Sequence, residues 1–312
     1  MKPLSSDKIY GNWATLLLAT DKNGEIDFSR MNDEIDVLID SQPNGVYSNG
    51  TAGEFYSQTD DEFFRISELL AVKCEKADIP FQIGISHMSP QISLHRLKMI
   101  THLKPGAVQV ILPDWFPPTL EECAIFLKKI AAEAGEINLV LYNPPHAKKQ
   151  LQPEEWQVLK REVSALAGVK VFDRNSDLQW YERVRNNRND ISVFIPGHNL
   201  ATGITLGAQG AYSNVSCLNP RAAQKWYQLT QTDMNRALEL EHRIRHFMTT
   251  LIEPFITQYH FPNHACDRFM ALVGAWADVG ANLRWPYRSI PEDLAEHVRK
   301  KAKNIIPEFF QK

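Results

Sequence analysis

Short runs rich in apolar residues alternate with longer amphipathic segments along most of the chain. Eight such runs fall at 14–19, 45–49, 81–85, 107–112, 139–143, 166–172, 191–195 and 211–215. Apolar runs of this length are typical of strands that are buried on both faces. The segments between them have helical features, such as a capping box formed by Thr59 and Glu62. The pattern therefore predicts eight strands that alternate with helices.

Regular alternation of strands and helices indicates parallel pairing, because the chain needs a crossover segment, usually a helix, between two neighbouring parallel strands. Eight units over about 215 residues match a (β/α)8 TIM barrel. A doubly wound open sheet is the competing fold, but it needs a Gly-rich phosphate turn after the first strand, and Thr20–Gly24 is not one. We predict a barrel over residues 1–220 that carries the active site.

The strand pattern ends near Pro220, and helical patterns follow at about 221–258, 263–279 and 291–310. No low-complexity or linker-like stretch separates these helices from the barrel. We therefore predict a C-terminal helical region, residues 221–312, that packs on the barrel.

Composition and charge exclude several classes of partner. The chain has 312 residues, a formal net charge of -3, and dispersed Lys and Arg, so we expect no nucleic acid. No apolar run reaches about 18 residues, so we expect no membrane span. The polar Met1–Tyr10 lacks a signal peptide core, and the four cysteines lack CxxC spacing. These features predict a cytoplasmic protein with reduced thiols. We also expect no metal and no organic cofactor.

Lys170 lies inside the sixth predicted strand, between Val169 and Val171. Moving its ammonium group out of water costs several kcal/mol unless the charge is paired, and a lowered pKa is the usual outcome. A neutral amine is the form that attacks a ketone to give a Schiff base. The alternative interpretation is that Lys170 lies at a strand end and extends its ammonium group to solvent.

Chemistry in a barrel lies at the carboxyl ends of the strands. Thr51 and Ala52, flanked by glycines after strand two, have backbone N–H groups that can converge on a carboxylate, although an ordinary tight turn is equally consistent. Tyr142 ends strand five and is able to carry protons, but a core tyrosine fits as well. The remaining candidates for the pocket, at or beyond the ends of other strands, are Trp115, Gly197, Asn199 and Ser213.

These residues resemble the dihydrodipicolinate synthase/N-acetylneuraminate lyase family. The resemblance covers nearly the whole chain and rests on Gly50–Glu54, Tyr142–Pro145, Gly168–Lys170 and Gly207–Ser213. It implies a (β/α)8 barrel with a C-terminal helical region, usually a homotetramer built as a dimer of dimers. It also implies that Lys170 forms a Schiff base with a keto acid, that Tyr142 is the acid/base, and that Thr51 and Ala52 hold the keto acid carboxylate.

Three positions depart from the synthase branch. Ala52 stands where the synthases commonly have a second threonine, Trp115 replaces a relay tyrosine, and Ala147 lies where they place an arginine. The segment Gly197–Leu200 also lacks the acidic residues of the sialic acid lyases. We therefore expect a Schiff-base-forming aldolase or dehydratase that acts on pyruvate-derived or 2-keto-3-deoxy acids.

Three alternatives remain open. The first is a 4-hydroxy-tetrahydrodipicolinate synthase, and the second is a non-catalytic barrel that binds a keto acid. Retention of Lys170, Tyr142 and Thr51 together favours catalysis over the second, because a sensor has no need of the amine. The third and weakest is a phosphate- or flavin-binding barrel, suggested by Gly207–Gly210.

Overall fold

Eight parallel strands form a closed barrel in which each strand pairs with the next and β8 pairs with β1. The structure is a computed structural model that describes residues 1–174 and 176–311. The strands β1 to β8 are Gly11–Thr15, Gly45–Ser48, Phe81–Gly84, Ala107–Val110, Asn138–Asn143, Leu166–Val171, Ser192–Pro196 and Gly210–Tyr212. The predicted (β/α)8 barrel is therefore confirmed.

A helix follows each strand. The helices α1 to α8 are Phe28–Asp40, Asp60–Lys76, Pro90–Ile100, Leu120–Ala134, Pro153–Glu162, Leu178–Asn187, Leu200–Leu206 and Asn214–Leu218. Asp27 caps α1. The capping box of Thr59 and Glu62 forms at the start of α2, as the sequence predicts. The apolar faces of the first six helices pack on the outside of the barrel, in one continuous core with its strands.

Two strands differ most in position from the predictions. The first strand is Gly11–Thr15 rather than 14–19, because the apolar residues after it belong to a buried connection. The eighth ends at Tyr212, and Ser213 then caps α8 by accepting a hydrogen bond from the Ser216 N–H. Apolar content alone does not separate a strand from a buried connection or a buried short helix.

The C-terminal helices are α9 (Pro220–Thr232), α10 (Met234–Phe247), α11 (Glu253–Thr257), α12 (Asn263–Gly274) and α13 (Leu294–Ile305). The predicted helix 221–258 is interrupted at Asp233, whose non-helical backbone ends α9 while its side chain caps α10. These helices share a second core with α7 and α8. The division between 1–220 and 221–312 stays a prediction. Among the described residues, no helix has the length and apolar character needed to cross a membrane.

One end of the barrel is filled by side chains and covered by the N-terminal segment. Ile9 packs with inward-facing residues of the strands, which are Trp13, Tyr47, Ala107, Val140, Ala167, Phe194 and Tyr212. The Leu4 N–H donates to the Gly106 carbonyl, and the Asn138 amide donates to the Leu4 carbonyl, beside the starts of β4 and β5. Any binding cavity in the barrel therefore has to lie at the carboxyl ends of the strands.

Candidate active site

A cavity of about 320 Å³ lies at the carboxyl ends of the strands. Residues from β1, β2, β5, β6, β7 and β8 form its floor and walls, and the C-terminal region adds Ile256, Asn263 and Asp267. Thr51, Ala52, Tyr142 and Lys170 all line it. The structure thus brings together the four residues that the sequence analysis places first.

Lys170 stands beside Tyr142 because the register of β5 and β6 pairs these two residues directly. The Lys170 Nζ atom lies 4.2 Å from the centroid of the Tyr142 ring and 5.0 and 5.2 Å from the centroids of Tyr47 and Tyr212. Lys170 also donates a long hydrogen bond, 3.4 Å, to the Tyr47 hydroxyl. The amine is therefore held inside the cavity by three aromatic rings rather than extended to bulk solvent.

No ion pair joins Lys170 to a carboxylate among residues 1–174 and 176–311. Burial lowers the pKa of Lys170 to about 8, and the charge of Asp267 partly opposes this shift. With that pKa, roughly a tenth of the side chain is neutral at pH 7, against well under a thousandth for an ordinary lysine. The site therefore maintains a usable fraction of nucleophilic amine.

Tyr142 connects Lys170 with the turn after β2. The Thr51 hydroxyl donates to the Tyr142 hydroxyl at 3.3 Å. Burial raises the pKa of Tyr142 to about 12, and the Thr51 hydrogen bond only partly opposes this shift. Tyr142 is thus a protonated phenol at neutral pH, so it is able to donate a proton or a hydrogen bond towards the position of a group bound to Lys170.

The turn that contains Thr51 and Ala52 lines the cavity and has unpaired backbone donors. The Glu54 N–H closes this turn by donating to the Thr51 carbonyl at 3.0 Å. Within the described part of the chain, the N–H groups of Thr51 and Ala52 donate no hydrogen bond. Successive free N–H groups in such a turn form a concave site for an anion, and a carboxylate is the size that suits it.

Two other candidates lie next to the cavity without lining it. Gly197 is needed for packing, because a Cβ there would lie 2.5 Å from the Ser213 hydroxyl oxygen. Asn199 is buried, and its amide donates to both carboxylate oxygens of Asp173 at 2.9 and 3.1 Å. Their neighbours His198 and Asn214 line the cavity instead, joined by a 3.0 Å hydrogen bond.

Ser213 and Trp115 are also outside the cavity of their own chain. The Ser213 hydroxyl is occupied as the cap of α8. Trp115 is 71% exposed, because the loop after β4 turns outward and Lys148 holds it there. The Lys148 ammonium donates to the Trp115 carbonyl at 2.9 Å and lies 5.2 Å from the indole ring. Trp115, a predicted residue of the pocket, therefore does not line the cavity within one chain.

Among the cavity residues that sequence reasoning missed, three lie near or face Lys170. Tyr47 and Tyr212 lie in β2 and β8 with their rings near Lys170, and the alternation of side chains along a strand was the signal for both. Asp267 lies in α12, which is buried on nearly all sides. A charged residue in an apolar helix needs an explanation, but the sequence does not show which cavity it faces.

Comparison with known proteins identifies the relatives of this chain. The sequence model of the Dihydrodipicolinate synthetase family matches residues 8–305. The chain belongs to this family. Members of the family include lyases that form a Schiff base and act on pyruvate, so the predicted family and class of enzyme are confirmed.

Within the dihydrodipicolinate synthetase family, the chain is similar to proteins of both branches. It is 31% identical over 234 residues to a 4-hydroxy-tetrahydrodipicolinate synthase of Methanococcus aeolicus, covering 74% of this chain and 79% of that protein. It is 24% identical over 253 residues to the N-acetylneuraminate lyase of Homo sapiens, covering 79% of each.

Solved structures of the family share the fold. The wild-type sialic acid aldolase of Ruminococcus gnavus superposes with a TM-score of 0.82 at 19% identity, covering 97% of this chain and 98% of that one. A prophage protein of E. coli K12 in complex with pyruvate, from the dihydrodipicolinic acid synthase family, also has a TM-score of 0.82, at 16% identity, covering 95% and 98%.

Proposed function

We propose that this chain is a lyase in which Lys170 forms a Schiff base with pyruvate or with a 2-keto-3-deoxy acid. The observation that carries the proposal is an amine with a lowered pKa, held in a cavity opposite a phenol and a turn with free N–H groups. A keto acid presents a carboxylate next to an electrophilic carbonyl carbon. The free N–H groups of Thr51 and Ala52 suit the carboxylate, and the neutral amine of Lys170 suits the carbonyl carbon.

The reaction begins when the neutral Lys170 amine attacks C2 of the keto acid. The carbinolamine then loses its hydroxyl as water, for which Tyr142 supplies the proton, and a protonated imine remains. The imine nitrogen withdraws electrons from C3. In an aldolase, the C3–C4 bond breaks as the C4 hydroxyl loses its proton, which gives an aldehyde and an enamine. In a dehydratase, C3 loses a proton and the C4 hydroxyl departs as water.

Tyr142 and Thr51 act together in this proposal. The Thr51 hydroxyl holds the Tyr142 hydroxyl at 3.3 Å, so the phenol is positioned beside the bound carbonyl carbon without rotating freely. The enamine of the aldolase reaction regains a proton at C3, and water then hydrolyses the imine to release pyruvate. No step needs a metal or an organic cofactor, since the lysine imine itself is the electron sink.

A second candidate function is 4-hydroxy-tetrahydrodipicolinate synthesis, because the relative from Methanococcus aeolicus carries that name. That reaction joins pyruvate to a substrate with a second carboxylate. The described residues that line the cavity include no arginine, and Lys170 is the one lysine among them. A cavity without a second fixed cation favours the cleavage or dehydration of an acid with a single carboxylate.

The proposal also includes a cytoplasmic homotetramer, arranged as a dimer of dimers. The loop after β4 exposes Trp115 and Phe116 at 71% and 79%, and large apolar side chains this exposed suit a contact with another subunit. The four cysteines are buried and free, which suits a reducing compartment. Sedimentation velocity at several concentrations tests the assembly, and a monomer at micromolar concentration would contradict it.

The experiment for the proposed function uses a panel of acids. The protein is incubated with pyruvate and with several 2-keto-3-deoxy acids in the presence of borohydride, and the intact mass is measured. An aldolase retains a pyruvate-sized adduct from every acid that it cleaves, whereas a dehydratase retains the full carbon chain less one water. Absence of an adduct from every acid, pyruvate included, would overturn the proposal.

A further inference from the structure

Asp267 stands out among the groups of the cavity. It is the one carboxylate among the described lining residues, it comes from α12 in the C-terminal region, and it is 7% exposed. Its carboxylate takes part in no hydrogen bond or ion pair within the described parts of the chain, 1–174 and 176–311. Burial raises the pKa of Asp267 to about 7, and the charge of Lys170 opposes that shift.

A buried carboxylate without a hydrogen-bond partner from the protein is unfavourable. Buried polar side chains are normally hydrogen-bonded, and an exception calls for a ligand, an ion or a catalytic role. Asp267 faces the same space as the Lys170 amine. A hydrogen-bond partner for Asp267 is therefore expected from the molecule that binds in the cavity when Lys170 reacts.

The neighbouring Arg268 fixes the position of Asp267 relative to the turn that contains Thr51 and Ala52. The Arg268 guanidinium forms a fully buried ion pair with Glu54 at 2.7 Å, and Glu54 lies at the end of that turn. Arg268 also donates to the Leu18 carbonyl and, at 2.7 Å, to the Val279 carbonyl. These contacts of Arg268 fix the backbone next to Asp267 relative to the proposed carboxylate site.

We propose that Asp267 binds a hydroxyl group of the substrate chain beyond the keto carbon, and that it excludes substrates with a second carboxylate. This inference rests on the proposed function and names its substrate class, a hydroxylated 2-keto acid with one carboxylate. An ionised carboxylate accepts hydrogen bonds from hydroxyl groups, and a protonated one both accepts and donates. A second carboxylate on the substrate would meet a like charge inside a cavity of low dielectric.

The rest of the cavity supports a neutral distal end. Apart from Lys170, the basic side chains in the described lining are His146 and His198. Burial lowers the pKa of His198, so that ring is neutral at pH 7, and its Nδ1 atom already contacts the Asn214 amide. Among the described lining residues, Lys170 is therefore the one fixed cation near Asp267. Its nitrogen becomes part of the imine, so it is not free to pair with a second carboxylate.

The first test compares substrates in the wild-type enzyme. Two chain-matched acids are assayed, a 2-keto-3-deoxy aldonic acid with one carboxylate and the corresponding aldaric acid with two. We expect kcat/KM to be at least about 100-fold higher for the aldonic acid. A difference of this size is expected when charged hydrogen bonds are gained or lost. Equal or better use of the dicarboxylate would overturn the assignment, and this comparison needs no variant.

The second test uses Asp267→Asn and Asp267→Ala, with the exposed Asp278→Asn as the matched control. Asp278 is 71% exposed in its side chain, pairs with Arg30 outside the cavity, and should behave like wild type. We expect the two Asp267 variants to lose about 10- to 100-fold in kcat/KM for the hydroxylated acid, mainly through KM. We also expect the ratio of kcat/KM for the acid with one carboxylate to kcat/KM for the acid with two to fall at least tenfold in these variants.

Borohydride trapping of pyruvate separates this inference from the proposed function. Pyruvate has no hydroxyl beyond the keto carbon, so its trapping rate in Asp267→Asn should stay within about 3-fold of wild type at pH about 9, above the Lys170 pKa. If trapping and cleavage fall equally, Asp267 acts on Lys170 and not on the substrate hydroxyl, and the assignment is wrong. If wild type itself traps no pyruvate, the proposed function fails instead.

Discussion

Removal of the Tyr142 hydroxyl should slow the chemistry and barely change stability. In Tyr142→Phe, the ring that packs on Lys170 remains, and one 3.3 Å hydrogen bond from Thr51 is lost. Such a bond contributes about 0.5–1.5 kcal/mol, and the Thr51 hydroxyl faces a cavity where water can replace the partner. A positioned acid/base is worth about 10²–10⁴-fold in rate, which is about 3–5.5 kcal/mol of barrier.

Tyr212→Phe is the matched control, since it removes the same atom from a ring 5.2 Å from the Lys170 ammonium. The Tyr212 hydroxyl donates at 2.6 Å to the side-chain oxygen of Gln82, a fully buried amide whose nitrogen has no partner among the described residues. Removal of the Tyr212 hydroxyl leaves both the oxygen and the nitrogen of the Gln82 amide without a hydrogen bond, which costs about 1–3 kcal/mol of stability. The control should therefore lose stability and retain most of its rate.

The assay for both variants follows deuterium exchange at the methyl group of pyruvate by NMR, because exchange requires the imine and the enamine but no second substrate. Urea unfolding gives the stability of each variant. We expect the exchange rate to fall at least 100-fold in Tyr142→Phe and less than about 5-fold in Tyr212→Phe. Equal losses of rate, or a Tyr142→Phe variant within about 5-fold of wild type, would refute the role of Tyr142 as an acid/base.

Three further predictions follow from the same structure. Glu54→Gln leaves the buried Arg268 without its countercharge and should lower the free energy of unfolding in urea by about 3–5 kcal/mol. Glu308→Gln, in a half-exposed pair with Arg243, should lower it by under about 1 kcal/mol. The rate of pyruvate trapping should rise with pH until the Lys170 pKa of about 8 is passed, since only the neutral amine attacks, and a flat profile would contradict this. Condensation of pyruvate with aspartate semialdehyde should stay at background, and a kcat/KM above about 10⁴ M⁻¹s⁻¹ would contradict the specificity.

The barrel and the centre of the site were accessible from the sequence because they depend on local patterns. Lys170 and Tyr142 each occupy a short apolar strand, and the carboxyl ends of parallel strands meet at one end of a barrel. Strand position alone therefore placed both residues in one cavity. The glycines around Thr51 and Ala52 likewise indicated a turn with exposed N–H groups.

The periphery of the site was not accessible in the same way. Asp267 reaches the cavity through the packing of α12 against the barrel, which depends on contacts such as that between Arg268 and Glu54, more than 200 positions apart in the chain. No periodicity in the sequence encodes that distance. Trp115 was placed by strand order, but the length and direction of the loop after β4 determine where its ring lies.

The central claim is that Lys170 forms the imine, and peptide mapping after borohydride trapping tests it most directly. Wild-type protein and Lys170→Ala are treated with pyruvate and borohydride, digested, and analysed by tandem mass spectrometry. We predict one reduced pyruvate adduct, located on Lys170, in wild type and none in the variant. An adduct on another lysine, or equal labelling of the variant, would contradict the claim.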